Sequence, residues 1–544
     1  MRRRSTFITH PSRAVNPADI QVYRNQLLLG ALKAAREERL TLGLKELPQE
    51  VVDVLEQSHE LHLRWAPEHP YKTTVPFLSR TSPGLHVHYT PLKQDQDDDH
   101  LCDLLHHVFG QDLKCETPQS TFISPALVSE RFAQTSALQY YSLLPSLKPL
   151  VAYLQRNVCP PSDLGCLHTA SLLNIADSVD FDYDSISHTL TLTAMWSRQP
   201  EVVYDPIGEF TTLDAWNLDI QQSSPSDKVE VGILSPAPAT EPSDLQLSGF
   251  LTVVGEDDHP KPTLFSFPSR HHSLSPEQSK LQRYNVSFDQ PAGLHPILRI
   301  SFPAGASALS EPPKNKPADS VCALQTYLTL PSHIFADKYA FLNDDPLFQK
   351  SHHVGKLRAI NGETDLEAPD YVVKQWGSTM LLEIPAPAEA PAESPDTTAS
   401  KDSGGSWDVT IPLHVRYLQP QSGGKSVVEM PWPVVFWACT AEEGTKFPVN
   451  PFDRTQLGYD GLFGPRTMFY HLDPAPPPNG SLVERIAVPV LDTDNTTPRT
   501  IEALTTATIV LGFLWVLFKL SSAFRTVPTG GRRVDSDPNA KKKQ

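Results

Sequence analysis

Apolar positions are concentrated near the end of the chain. Ala503 to Phe518 reads A-L-T-T-A-T-I-V-L-G-F-L-W-V-L-F, without a charge or a proline. A bilayer core is crossed by roughly 20 mostly apolar helical residues, and continuing through K-L-S-S-A-F to Phe524 reaches that length. Lys519 fits at this end because its long stem lets the ammonium reach the headgroups. Trp515 stands near the same end, as interfacial aromatics do. The pattern predicts one transmembrane helix over residues 501–524. A buried helix of a globular domain is the alternative, but no other stretch is as apolar.

Elsewhere the periodicity is shorter. Ala18 to Leu42 places apolar residues at Ile20, Tyr23, Leu27, Leu28 and Leu32, which predicts a helix. Pro48 opens a second predicted helix, Gln49 to Leu63. Gly84 to Tyr89 and Ser187 to Ala194 alternate apolar and polar residues and predict strands. Ile411, Leu413, Val415 and Tyr417 would share one face of a strand, with His414 and Arg416 on the other. Those two could form a site on an exposed face or a cross-strand polar pair. Val434 to Ala438 is continuously apolar, as in a strand buried on both faces. The fold class expected is mainly β with an α-helical N-terminal part. β-sandwich-like lumenal domains would be followed by one C-terminal transmembrane helix.

Composition divides the chain further. Proline is 52 of 544 residues, above the usual 5% or so, while glycine is not enriched. Such a chain suits short strands and extended loops better than long helices. Residues 223–244 are rich in proline and serine and predict a linker or inserted loop. Residues 385–406 have few side chains able to offset ordering entropy and predict a disordered hairpin insertion. The expected organisation is an N-terminal lumenal α+β region (1–222), the linker (223–244), a lumenal β domain (245–500), the span (501–524) and a basic tail (525–544).

Charge sets the orientation. Arg525, Arg532, Arg533, Lys541, Lys542 and Lys543 follow the span, whereas Asp492, Asp494 and Glu502 precede it, with Arg499 as counterweight. Basic flanks stay cytoplasmic, so the tail is expected there and the long preceding segment in the lumen. Lys541 and Lys542 form a dilysine pattern that is similar to endoplasmic reticulum retrieval signals, which a receptor reads. The alternative is an ordinary basic flank. A removed lipid-anchor signal would not continue into a charged tail. The start, M-R-R-R-S-T-F-I-T-H-P, lacks the roughly 7–15 apolar residues of a cleaved signal, so translocation would rest on the C-terminal span.

The net charge of -17 argues against a nucleic-acid partner. Six cysteines, Cys102, Cys115, Cys159, Cys166, Cys322 and Cys439, all precede the span. Disulfides suit an oxidising lumen. Cys102 with Cys115 and Cys159 with Cys166 are the locally plausible pairs, buried free thiols are the alternative, and the full connectivity is not deducible. Sequons at Asn285, Asn479 and Asn495 fit a lumenal domain, Asn495 being close to the bilayer.

Candidate chemistry is sparse. His59-Glu60-Leu61-His62 has the wrong spacing for a metalloprotease, whose histidines stand one helical turn apart, and suits a solvated helix face. Asp95 to Asp99 is an acidic loop. Asp180, Asp182 and Asp184 alternate with Phe181 and Tyr183. On a strand their carboxylates share a face, which could hold a manganese and a sugar-nucleotide diphosphate or be a solvated edge. A serine-hydrolase elbow G-x-S-x-G does not occur.

From about His295 to Leu491 the motifs become specific. They run Tyr327-Leu328-Thr329-Leu330-Pro331, Phe335-Ala336-Asp337-Lys338-Tyr339, Leu382-Glu383, Ile411 to Tyr417, and Pro431 to Cys439. Then come Asn450-Pro451-Phe452-Asp453, Leu457-Gly458-Tyr459-Asp460, Thr467 to Leu472, and Val488-Pro489-Val490. In this order, before a single C-terminal span, they resemble the PIG-X family, and the acidic, N-terminally extended form is similar to its fungal members. The resemblance implies a non-catalytic subunit of glycosylphosphatidylinositol mannosyltransferase I. It would stabilise the polytopic catalytic subunit that adds the first mannose in the endoplasmic reticulum lumen. No catalytic, cofactor-binding or metal residue is implied. A general lumenal chaperone-like membrane protein is one alternative. A lumenal glycosyltransferase using Asp180 and Asp182 is another.

Overall fold

The computed structural model describes residues 1–13, 15–93, 100–125, 137–197, 203–204, 210–211, 215–342, 345–363, 365–387, 406–441, 452, 457–478, 480–494 and 496–525. The chain forms two units: Met1–Leu418 with Val427–Val488, and Gln419–Ser426 with Pro489–Gln544. The larger unit is mainly β, and its helices cluster in the N-terminal half.

Its first half is a ten-stranded sheet. The order is Lys261–Pro268, Asp244–Val254, Lys228–Ala237, Arg2–Thr9, Ala34–Gly43, Thr189–Trp196, Ser178–Asp184, Ser58–Ala66, Gly84–Pro91 and Leu138–Ser142. Arg2–Thr9 and Lys228–Ala237 run parallel; the other neighbours are antiparallel. One face carries Leu61, Val87, Tyr89, Val179 and Tyr183 into a core that the helices His100–Phe109 and Lys148–Asn157 close with Leu101, Leu105, Leu150 and Tyr153. The disulfides Cys102–Cys115 and Cys159–Cys166, the two local pairs, secure these helical segments.

Several expectations need correction here. Residues 18–42 are not a helix but the strands Gln21–Tyr23, Gln26–Leu32 and Ala34–Gly43. Ala31 adopts a positive φ of 52°, which turns the chain instead of continuing a helix. Ala34–Gly43 is then paired along both sides, by Arg2–Thr9 and Thr189–Trp196. Tertiary pairing overrides local propensity. The second predicted helix stops at Leu55, and Ser58–Ala66 is a strand. The 223–244 stretch is not a linker or loop. It contributes the Lys228–Ala237 strand to the middle of the sheet, because Val229, Val231, Ile233 and Leu234 supply enough buried surface to outweigh the proline-rich flanks. Asp244–Val254 and Lys261–Pro268 also belong to this sheet, so the first half runs on to Pro268.

The second half is a β-sandwich. A six-stranded sheet, His271–His272, Thr467–His471, Val434–Ala441, Ser320–Pro331, Gly377–Ile384 and Leu357–Gly362, packs on a four-stranded sheet, Trp407–Pro412, Ile297–Phe302, Arg283–Phe288 and Asp473–Pro474. Leu324, Leu328, Met380 and Leu382 from the first meet Val286, Leu298, Ile300, Val409 and Ile411 from the second. Val434 to Ala438 is buried throughout, as its unbroken apolar run predicts. Cys322 and Cys439 are register partners and form the third disulfide. Gly377–Ile384 and Trp407–Pro412 lie in different sheets, so the 385–406 insertion is a crossover and not a hairpin loop; residues 388–405 are outside the described residues.

In the smaller unit Gln421 bridges to Asp492, and a helix runs from Thr496 to Arg525. Its segment Arg499–Ser522 has 24 residues, a mean hydropathy of 1.9 and no buried share. This is the apolar helix expected from the Ala503–Phe518 pattern, long enough to cross a bilayer.

Candidate functional site

The two polar motifs of the first half come together. Asp180, Asp182 and Asp184 lie on one face of Ser178–Asp184, and His62 and Arg64 lie beside them on Ser58–Ala66. Register continues this pattern across seven strands. One row reads Arg4, Arg39, Thr193, Asp180, Arg64, His86, Tyr141; the next reads Arg2, Thr41, Thr191, Asp182, His62, His88, Gln139. The alternation that sends Leu61, Val179 and Tyr183 to the helical core sends these polar residues to the opposite face.

The carboxylates are already engaged. Arg64 Nε donates to Asp180 Oδ1 at 2.6 Å, and both side chains are nearly inaccessible. His62 Nδ1 meets Asp182 Oδ1 at 2.8 Å. Burial pulls the His62 imidazolium down, but Asp182 and Glu60 outweigh it and push its pKa up to about 9. Asp184 accepts from the Ile186 and Ser187 amides and the Ser187 hydroxyl, so it caps a turn. This strand is not a solvated edge: it lies between Thr189–Trp196 and Ser58–Ala66. Nor does His59 to His62 form a helix face, since it belongs to a strand. No group of three or more metal-ligating side chains occurs among the described residues. Asp95 to Asp99 lies outside them.

The polar face is a joint. Gln139 Nε2 donates to the Tyr327 hydroxyl at 3.4 Å, and Trp376 Nε1 donates to the Gln139 carbonyl at 2.8 Å. Arg80 reaches Asp473 at 2.9 Å and stacks on Tyr71. The Tyr459 hydroxyl donates to the Arg80 carbonyl at 3.0 Å and meets His471 Nε2 at 2.6 Å. Burial drops the His471 pKa to about 3, so the ring is neutral. Gly458 has φ +92°, and a Cβ there would sit 2.8 Å from the Tyr327 hydroxyl. Much of the motif set that carries the family resemblance, Tyr327, Gly458, Tyr459 and His471, therefore fastens the sandwich to the first half.

Other motif residues fall differently. Ile411, Leu413 and Val415 are buried as expected, but Tyr417 is 69% exposed. Arg416 is not on an exposed face. It is buried over the Phe335 ring at 4.4 Å, with Nε donating to the Ser332 carbonyl at 2.9 Å and Nη1 to the Ala368 carbonyl at 2.8 Å and to that of Asp365. His414 stacks on Phe335 and faces His295 at 3.0 Å between Nδ1 atoms. The strand divides at Leu413, but Ile411, Leu413 and Val415 all stay in the inter-sheet core, and the alternation lapses only after Val415. Asn285 is half-buried on Arg283–Phe288 between exposed Arg283 and Ser287. Asn479, Asn495, Lys541 and Lys542 are outside the described residues. Ala503 and Phe518 lie on the exposed apolar helix, which also contains Phe524.

The polar face of the first half is thus engaged in its own ion pairs, and the C-terminal apolar helix has no buried share. Residues 291–521 match the family model described as PIG-X / PBN1. Over 97% of both chains the protein is 48% identical to Protein pbn1 of Emericella nidulans. It is 46% identical to Protein pbn1 of Aspergillus oryzae over 96% of each chain. The Neurospora crassa protein of the same name is 39% identical over 96% of this chain and 95% of its own. The chain belongs to the PIG-X / PBN1 family.

Proposed function

We propose that the protein is the non-catalytic subunit of the endoplasmic reticulum mannosyltransferase that adds the first mannose to glycosylphosphatidylinositol precursors. It acts by binding the polytopic catalytic subunit and stabilising it. The observation that carries this reading is family membership over almost the whole chain. Two features support it: the exposed apolar helix offers a surface to lipid or to other spans, and Asp180 and Asp182 are held by Arg64 and His62. That engagement disfavours the glycosyltransferase reading. The protein crosses the membrane once, with a lumenal body, glycans on Asn285, Asn479 and Asn495, and a cytoplasmic tail retrieved through Lys541 and Lys542.

A partner that binds only the folded catalytic subunit raises its folded population by mass action. Depleting this chain is expected to lower the amount of the catalytic subunit and the mannosyltransferase activity together, read by immunoblot and by transfer of mannose to the lipid precursor in microsomes. A normal amount of catalytic subunit with activity lost would overturn the proposal.

A further inference from the structure

Two histidines meet at the surface of the sandwich. His414 lies on the short strand His414–Val415, which pairs with Ile334–Phe335, and its ring stacks on Phe335 with centroids 5.2 Å apart. Arg416 lies over the same Phe335 ring at 4.4 Å. On the other side, the Leu413 amide donates to the Pro296 carbonyl and the Val415 amide to the Leu294 carbonyl, both at 2.9 Å. These two bonds bracket His414 and place His295 directly opposite it. Side chains so opposed have Cβ atoms about 4.5–5.5 Å apart. The two rings cross at 89°, with Nδ1 standing 3.0 Å from Nδ1.

A neutral imidazole has one N–H and one ring nitrogen with a lone pair. Nδ1 against Nδ1 leaves one proton between two nitrogens. A metal ion can take that proton's place once both rings carry their own on Nε2. Imidazole suits copper, nickel and zinc. With metal–nitrogen bonds of about 2.0–2.1 Å, nitrogens 3.0 Å apart subtend about 95° at the ion, whereas tetrahedral coordination needs about 3.3 Å between them. Right-angle coordination by nitrogen belongs to copper(II) and nickel(II). His295 is exposed and His414 half-buried, so water can fill the remaining positions, unlike those of a closed structural site. The Asp337 carboxylate is near enough for its charge to act on His414, which favours a cation there.

We infer that His295 and His414 form an open two-imidazole site for a divalent transition metal of right-angle coordination, copper(II) or nickel(II). The ion clips residues 294–296 to His414–Val415 at a point the backbone has already fixed. This inference is independent of the proposed function.

The full chain, purified in detergent without a polyhistidine tag, is titrated with copper(II) in a buffer that does not coordinate metals. All six cysteines are in disulfides, so no thiolate competes. Electron spin echo spectroscopy counts the imidazoles on the bound ion, and two are expected on the first equivalent. His295→Ala, at an exposed position, should keep its urea midpoint without metal. It should bind the first equivalent at least about tenfold more weakly, since even an outer partner of a ligand is worth about 10- to 100-fold. His414→Gln should weaken binding likewise; if it does not fold, His295→Ala decides alone. One imidazole or none on the first equivalent, or unchanged affinity in folded His295→Ala, would overturn the inference. Because no catalytic subunit is present, either result leaves the proposed function standing.

Discussion

The two halves of the larger unit reach a closed interior by different means. In the sandwich, a strand such as Val434–Ala441 buries apolar side chains on both faces, with Val435 and Trp437 in the inter-sheet core and Phe436 and Ala438 in the cluster around Tyr459. In the first half the face turned to the helices is apolar, and the other combines a smaller apolar cluster, Ile8, Ala35, Met195, Leu234 and Leu247, with half-buried Arg4 and with Glu37, Asp180 and Arg64 in near-complete burial. Apolar packing tolerates no charge but needs no specific partner. A buried ion pair is of uncertain net worth, yet losing one member is costly. The halves should therefore fail differently when altered.

The largest effect is expected in the sandwich. Phe436→Asp puts a carboxylate among Tyr459, Phe469 and Phe463, at a cost of about 5 kcal/mol or more. Loss of the folded protein on a gel and of protection against limited proteolysis would be the readout. A normally folded variant would break the contrast.

Next comes the first half. Asp180→Asn leaves Arg64 buried without its counter-ion, and about 3–5 kcal/mol should be lost. The double variant Arg64→Met, Asp180→Leu should recover most of that. A double variant as unstable as the single one would mean that the pair does more than neutralise itself.

The smallest effect concerns pH and sharpens the contrast within the first half. The folded pKa of His62, about 9, lies above its unfolded value near 6.5. Its stabilisation is complete below about pH 6.5 and is lost as pH rises towards 9. His86, held at about 4 by burial, has the opposite sign: the unfolded chain binds more protons below about 6.5, so its environment costs stability as pH falls towards 4. His62→Gln should thus lower the urea midpoint at pH 6 by the equivalent of a few kcal/mol and much less at pH 9.5. An equal loss at both values would remove the imidazolium from the account.

Legibility in the sequence followed the same division. The C-terminal apolar helix and the Val434–Ala438 strand are readable because their patterns are local: one is a long apolar run and the other a short one between prolines. The two short-range disulfides were readable for the same reason. The 18–42 region was not, since Leu27, Leu28 and Leu32 satisfy a helical period while the residues that make it strand, in Arg2–Thr9 and Thr189–Trp196, are distant in sequence. The polar joint was half legible. Both stretches stood out, but only register shows that His62 opposes Asp182. The inward turn of Arg416 comes where the alternation lapses after Val415, which no periodicity announces.

The parallel pairing of the first strand also fixes an order of events. Arg2–Thr9 is made first, yet its parallel neighbour Lys228–Ala237 emerges only after most of the first half has been synthesised. Until then one long side of the first strand has unmet amides and carbonyls, open to any extended chain nearby. Three further strands, Thr189–Trp196, Asp244–Val254 and Lys261–Pro268, also arrive late. Native pairing between distant segments is slow and leaves such sides exposed meanwhile. A strand made long before its neighbour is thus among the last of the sheet to be enclosed, and the nascent protein has to be kept from aggregating throughout that interval.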